Sequence, residues 1–151
     1  MNLPDALTAV VDIAKEAVGA RSWYYGSPRT TPGAYPSVWV RYESTTPIAH
    51  ASSTRTADGK QKRNSVKRTH RGTLYVLIGD TASEDTDYKV GIAVQQIMDA
   101  FDADETLRGT GSVDRTQAFR LMEPSKLEIP LIENGPLVLG FTSAFEIFES
   151  K

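Results

Sequence analysis

Val66-Lys67-Arg68-Thr69-His70-Arg71-Gly72-Thr73-Leu74-Tyr75-Val76-Leu77-Ile78-Gly79 changes character at its midpoint, and that change sets the fold. Its second half is β-branched, aromatic and apolar, which suits a buried strand. Its first half is basic and polar on both faces. A strand over 66–79 of that composition is not expected to pack along its whole length, so its outer half should leave the domain body as a hairpin arm or flexible loop. Just upstream, Ser37 to Glu43 alternates cleanly. Val38, Val40 and Tyr42 point one way and Trp39, Arg41 and Glu43 the other, as in a half-buried strand. Between the two strands the chain is rich in Ser and Thr, and Asp58-Gly59 is a tight-turn signal. Residues 44–71 therefore read as one extended basic hairpin.

Working outward, Asn2-Leu3-Pro4-Asp5 has the chemistry of a helix start: a capping Asn, a Pro tolerated in the first turn, and an acid that complements the helix dipole. Leu3, Leu7, Val10, Val11, Ala14 and Val18 then make a stripe at spacings of three and four, and Gly19 marks the stop, predicting a helix over about residues 4–18. Residues 20–36 read as a connector, broken by Pro28, Pro32, Gly33 and Pro36. Trp23-Tyr24-Tyr25 within it either covers the edge of the core or offers a partner surface. Ser83, Thr86 and Asp87 offer N-caps for a second helix, whose stripe of Val90, Val94, Ile97, Met98 and Phe101 ends near Asp102. Three strands are expected after it, at about 113–122, 126–132 and 137–148, the last two joined by a turn at Asn134-Gly135-Pro136. In the last strand Leu139, Phe141, Phe145 and Ile147 share a face that Ser143 interrupts. The expected class is α+β, with two helices packed on one face of a mostly antiparallel sheet in a single domain over 1–151.

The 151 residues hold 17 Lys+Arg, 19 Asp+Glu and no cysteine, so disulfide frameworks, Cys-ligated zinc and thiol catalysis are excluded. The longest apolar stretch, Leu74 to Ile78, falls far short of the ~18–20 residues of a membrane span. Asp5 and Asp12 sit where a signal peptide would be basic. A soluble intracellular domain is the expectation. No Gly-x-Ser-x-Gly elbow and no phosphate loop occurs. Gly109-Thr110-Gly111 reads as a turn, and Asp99, Asp102, Asp104 and Glu105 do not follow the calcium-loop pattern. His50 and His70, both in the polar hairpin, read as solvated surface histidines. No catalytic residue, cofactor site or metal site is expected, and an enzyme ranks last.

Charge says more than motif. Residues 55–71 hold Arg55, Lys60, Lys62, Arg63, Lys67, Arg68 and Arg71 against Asp58 alone, a local charge of +6. Residues 80–105 hold Asp80, Glu84, Asp85, Asp87, Asp99, Asp102, Asp104 and Glu105 against Lys89 alone, a local charge of −7. Three roles fit the arm. It protects a sheet edge, it meets the acidic segment of a neighbouring copy head to tail, or it touches nucleic-acid phosphates. No aromatic residue lies between Ser44 and Gly72, so base stacking on the arm is not expected. Its basic residues and the acids Asp85, Asp87, Asp102, Asp104 and Glu105 are the candidate interface.

The order of these elements resembles the small tail proteins of long-tailed bacteriophages, the tail terminator and tail-completion family. The resemblance is carried by the N-terminal amphipathic helix, Pro36-Ser37-Val38-Trp39-Val40, the polar hairpin and the strand Arg71 to Ile78. The second helix running into Asp102-Ala103-Asp104-Glu105-Thr106-Leu107-Arg108-Gly109-Thr110-Gly111-Ser112-Val113 and the closing Phe141-Thr142-Ser143-Ala144-Phe145-Glu146-Ile147 add to it. Arg108 stands where such turns often carry another Gly. The resemblance implies a non-enzymatic virion protein, assembled in the host cytoplasm, whose hexameric ring caps the tail tube and ends its polymerisation. It implies as partners other copies of the chain, the tail tube protein and the head–neck connector, with passing DNA a further contact for the arm and no membrane. A different neck component, such as a head-closure or connector protein, is the nearest alternative, and a nucleic-acid-binding module the next.

Overall fold

The computed structural model describes residues 2–30, 32–48, 53–55, 61–63, 67–79, 84–110, 119–130 and 137–150, with 53–55 and 61–63 described as backbone. The first helix, α1, runs Leu3–Val18. Asn2 caps it by accepting from the Asp5 amide, and Gly19 closes it at φ 63° with its amide on the Lys15 carbonyl. Its buried residues are Ala6, Ala9, Val10, Val11, Ile13 and Ala14, while Leu3, Leu7 and Val18 pack at the margin. The centre of the expected stripe, Val10, Val11 and Ala14, is fully buried, and the buried face is widened by Ala6, Ala9 and Ile13, with the leucines and Val18 at its edge.

The strands are β1 (Ser22–Tyr24), β2 (Ser37–Ile48), β3 (Ser53–Arg55), β4 (Gln61–Arg63), β5 (Lys67–Gly79), β6 (Phe119–Leu121), β7 (Ser125–Pro130) and β8 (Leu137–Ser150), with α2 (Glu84–Ala103) between β5 and β6. The main sheet has the order β1-β2-β5-β8-β6, and β7 also lies on β8. β1 runs parallel to β2, and every other pair is antiparallel. Both helices cover one face of this sheet, burying Val38, Val40, Leu74, Val76, Phe141, Phe145 and Ile147 against Val10, Ile97 and Phe101. The fold is α+β. On the opposite face Trp39, Leu77 and Val138 form a smaller cluster with Tyr24, Tyr35, Tyr75 and Leu127, and the Trp39 and Tyr75 rings stack at 5.1 Å.

Four expectations change. First, residues 22–24 are a strand rather than connector. The amides of Arg21 and Ser22 donate to the Pro36 carbonyl, and Ser22 Oγ donates to Ala34, so backbone partners rather than side-chain pattern make β1. Second, the polar half of β5 is packed on both sides. β2 pairs with it from Leu77 to Lys67, and β8 from Gly79 to Lys67. This is possible because β8 continues to Ser150, beyond the expected end at 148. Third, α2 starts at Glu84, which puts Thr86 and Asp87 inside its first turn, while the third cap candidate, Ser83, is the residue before the helix and lies outside the described residues. Fourth, its buried row is Thr86, Val90, Ala93, Ile97 and Phe101, and Met98 is 40% exposed.

Past Lys67, β3 and β4 pair with one another through Ser53–Arg63 and Arg55–Gln61, as a second, two-stranded sheet. The expected turns at Asp58-Gly59 and Asn134-Gly135-Pro136 and the first part of the strand expected at 113–122 lie outside the described residues. Ser143, the interruption in the apolar face of β8, is buried and donates to the Met122 carbonyl at 2.6 Å, where the chain passes from β6 to β7.

Candidate assembly surface

The basic hairpin divides at Lys67. On the body side, Arg68 faces Glu149 at 3.8 Å and Arg71 faces Glu146 at 3.8 Å, with Arg71 also donating to Thr46 Oγ1 at 3.0 Å. The strand register makes these pairs, since Arg68 lies opposite Glu149 and Arg71 opposite Glu146. Two of the seven basic residues are thus met by the chain's own acids. Beyond them, Lys67 opens β5, Arg55 ends β3, and Lys62 and Arg63 lie on β4. Lys60, like His50, falls outside the described residues.

The candidate acids divide as well. Asp85 holds Lys89 at 3.0 Å one turn along α2, and Asp87 holds Lys126 of β7 at 2.7 Å. The hydrogen bond and then the charge of Asp87 raise the pKa of Lys126 above its ordinary value. Asp104 works inside its own turn, accepting the Arg108 amide at 3.1 Å on both oxygens and the Thr106 hydroxyl at 3.2 Å. That turn sets Leu107 and Arg108 at φ 52° and 57°, with Leu107 buried and Arg108 paired with Glu16 of α1. Asp102 and Glu105 stay exposed without ion-pair partners among the described residues. Among the described side chains, Arg68 and Arg71 lie along the β5–β8 pairing, Asp85 and Asp87 in the first turn of α2, and Asp102, Asp104 and Glu105 at its end and in the turn after it.

His70 corrects the surface reading. It is 4% exposed, with Nε2 2.8 Å from Glu149 and Nδ1 2.8 Å from Thr45 Oγ1, which in turn meets the Tyr42 hydroxyl at 2.5 Å. Even spacing from Leu74 and Val76 puts His70 on the helix-covered face, a signal the sequence carried; Glu149, on a distant strand, it did not reveal. These hydrogen bonds tie three strands together at the root of the arm.

Two cavities flank α2. One of about 360 Å³ sets Arg21, Lys89 and Gln96 around Val18, Ile78 and Ile92. The other, about 240 Å³, lies between the end of α2 and the β6–β7 junction, with Met98, Phe101, Leu121, Met122 and Pro124 beside Asp102 and Glu123. Among the described residues no cluster of His, Asp and Glu has the arrangement of a metal site, and no helix is long and apolar enough to cross a membrane. Compared with known proteins, the chain matches no protein family and no curated protein.

Proposed function

We propose that the chain is a ring-forming structural subunit of the phage tail terminator type, which caps a tail tube, stops its growth and offers a surface to the head–neck connector. The observation that carries this reading is the hairpin itself. β2 and β5 pair its root into the main sheet, while β3 and β4, from the same stretch of chain, pair as a separate two-stranded sheet whose strands include Arg55, Lys62 and Arg63. The charge there is of one sign, and the opposite sign lies on α2 and the turn after it. A surface that donates at one place and receives at another makes heterologous contacts, which close into a ring when the rotation allows. The element order, helix, hairpin, helix and antiparallel strands, also matches the order on which the resemblance rests.

The test has two arms. Sedimentation and electron microscopy of the purified chain should find a discrete closed oligomer, alone or on tube ends, and adding the chain to polymerising tail tubes should shorten them. A chain that stays monomeric both alone and with tubes, and leaves tube length unchanged, would overturn the reading.

A further inference from the structure

We infer that the groove between the end of α2 and the β6–β7 junction receives the basic arm of a second copy of this chain. The inference rests on the ring reading and supplies its contact. The groove has an apolar floor of Met98, Phe101, Leu121 and Met122 and an acidic rim of Asp102 and Glu123. Methionine adapts its shape to what lies on it, and Met98 is 40% exposed with no place in the buried row of α2.

The rim is short of positive charge. Neither Asp102 nor Glu123 has an ion-pair partner among the described residues, and the last turn of α2 contains no basic residue. That turn is the negative end of the helix dipole, where a cation stabilises the helix and a carboxylate opposes it. An incoming cation therefore finds an uncompensated field.

The arm fits that chemistry. Arg68 and Arg71 face Glu149 and Glu146, and the outer part of the arm carries five further cations in its sequence, Arg55, Lys60, Lys62, Arg63 and Lys67, against Asp58 alone. The arm has no aromatic residue to fill an apolar pocket. Lysine and arginine instead lay their methylene stems on apolar surface while the charged heads reach a polar rim, and Met, Leu and Phe beneath two carboxylates match that demand. The other cavity beside α2 is lined by Arg21 and Lys89 and would repel the same segment.

Binding and assembly test the inference separately. A labelled peptide of residues 53–67 should bind the full-length chain at low salt. Binding should weaken at least about tenfold in a chain carrying Asp102→Lys and Glu123→Lys, where like charges oppose, and should be unaffected by Lys89→Glu at the other cavity. Absence of peptide binding, or equal loss in both variants, overturns the groove whether or not the chain forms rings. For assembly, the groove-reversed chain and a chain with Lys62→Glu and Arg63→Glu should each fail to associate, and a one-to-one mixture should regain association. If a single chain carrying all four changes associates but the mixture does not, each arm occupies its own groove and the second-copy assignment falls. If the wild-type chain associates and the groove-reversed chain does so equally well, the groove falls while the ring reading stands.

Discussion

Glu149 holds two basic groups at once, His70 at 2.8 Å and Arg68 at 3.8 Å, from a site only 5% exposed. The two partners differ in kind. Arg68 is 41% exposed in its side chain and screened by water, so Arg68→Ala should cost under about 1 kcal/mol. Glu149→Ala instead strands the His70 ring nitrogen in a buried place, which should cost about 1–3 kcal/mol in urea unfolding. Adding His70→Ala to Glu149→Ala should cost less than the two single changes summed, because the polar atoms are then lost as a pair; strict additivity would mean that they are not coupled. Lys126 titrates on a different principle. Its pKa is raised by Asp87, so the pair's contribution is complete below the ordinary lysine pKa of 10.5 and is lost as pH rises through the raised value. Melting curves of wild type and Lys126→Met should therefore differ by a constant amount near neutral pH and converge only in strong alkali.

At the scale of elements, β5 and β8 approach closely at Gly140. A Cβ built on Gly140 would lie 2.0 Å from the Val76 carbonyl oxygen and 2.8 Å from Leu77 Cα, all backbone that cannot swing aside. Gly140→Ala should part the two strands and cost at least the ~1–3 kcal/mol of ordinary overpacking. Gly91 is the opposite case, exposed in the middle of α2 with open space around it. There Ala should raise stability by about 0.5–1 kcal/mol, read as a higher melting temperature. The seam also explains what the sequence could convey. Caps at Asn2 and Gly19, the strand at 37–43 and the apolar face of Leu139, Phe141, Phe145 and Ile147 are local signals, and each appears where local reading put it. The exception is Tyr42, which does not join Val38 and Val40 in the core: it is 46% exposed beside a register shift in β2, while Trp39 is buried in the cluster on the other face. β1 was illegible because three residues gain strand form only from the Pro36 carbonyl and the edge of β2. The packed outer half of β5 was illegible for the same reason at longer range: Lys67 to Gly72 look unburiable until Glu146 and Glu149 stand opposite. The charge of the candidate interface could be read, but not which cations the chain itself answers.

For the whole molecule, the proposed ring would use the division of the hairpin at Lys67 to separate stability from assembly. Ile48 and Lys67 are paired in register, so the chain can be closed there by a two-residue turn without breaking a main-sheet contact among the described residues. Among the described residues β3 and β4 pair with each other, as a two-stranded sheet separate from the main one. Replacing residues 49–66 with Asn-Gly, a turn suited to antiparallel strands, should therefore leave the melting temperature within a few degrees of wild type and keep Glu149→Ala as damaging as before. The same excision removes Arg55, Lys60, Lys62 and Arg63, which hold most of the arm's positive charge. In the proposed ring it should abolish self-association and tube capping together, with light scattering and tube length as the readouts. An excised chain that still associates would shift the contact to the body, most directly to the outer edge of β2 past Trp39, which β1 leaves uncovered. An excised chain that unfolds would mean that the ribbon supports the sheet, and the separation of the two roles at Lys67 would fail.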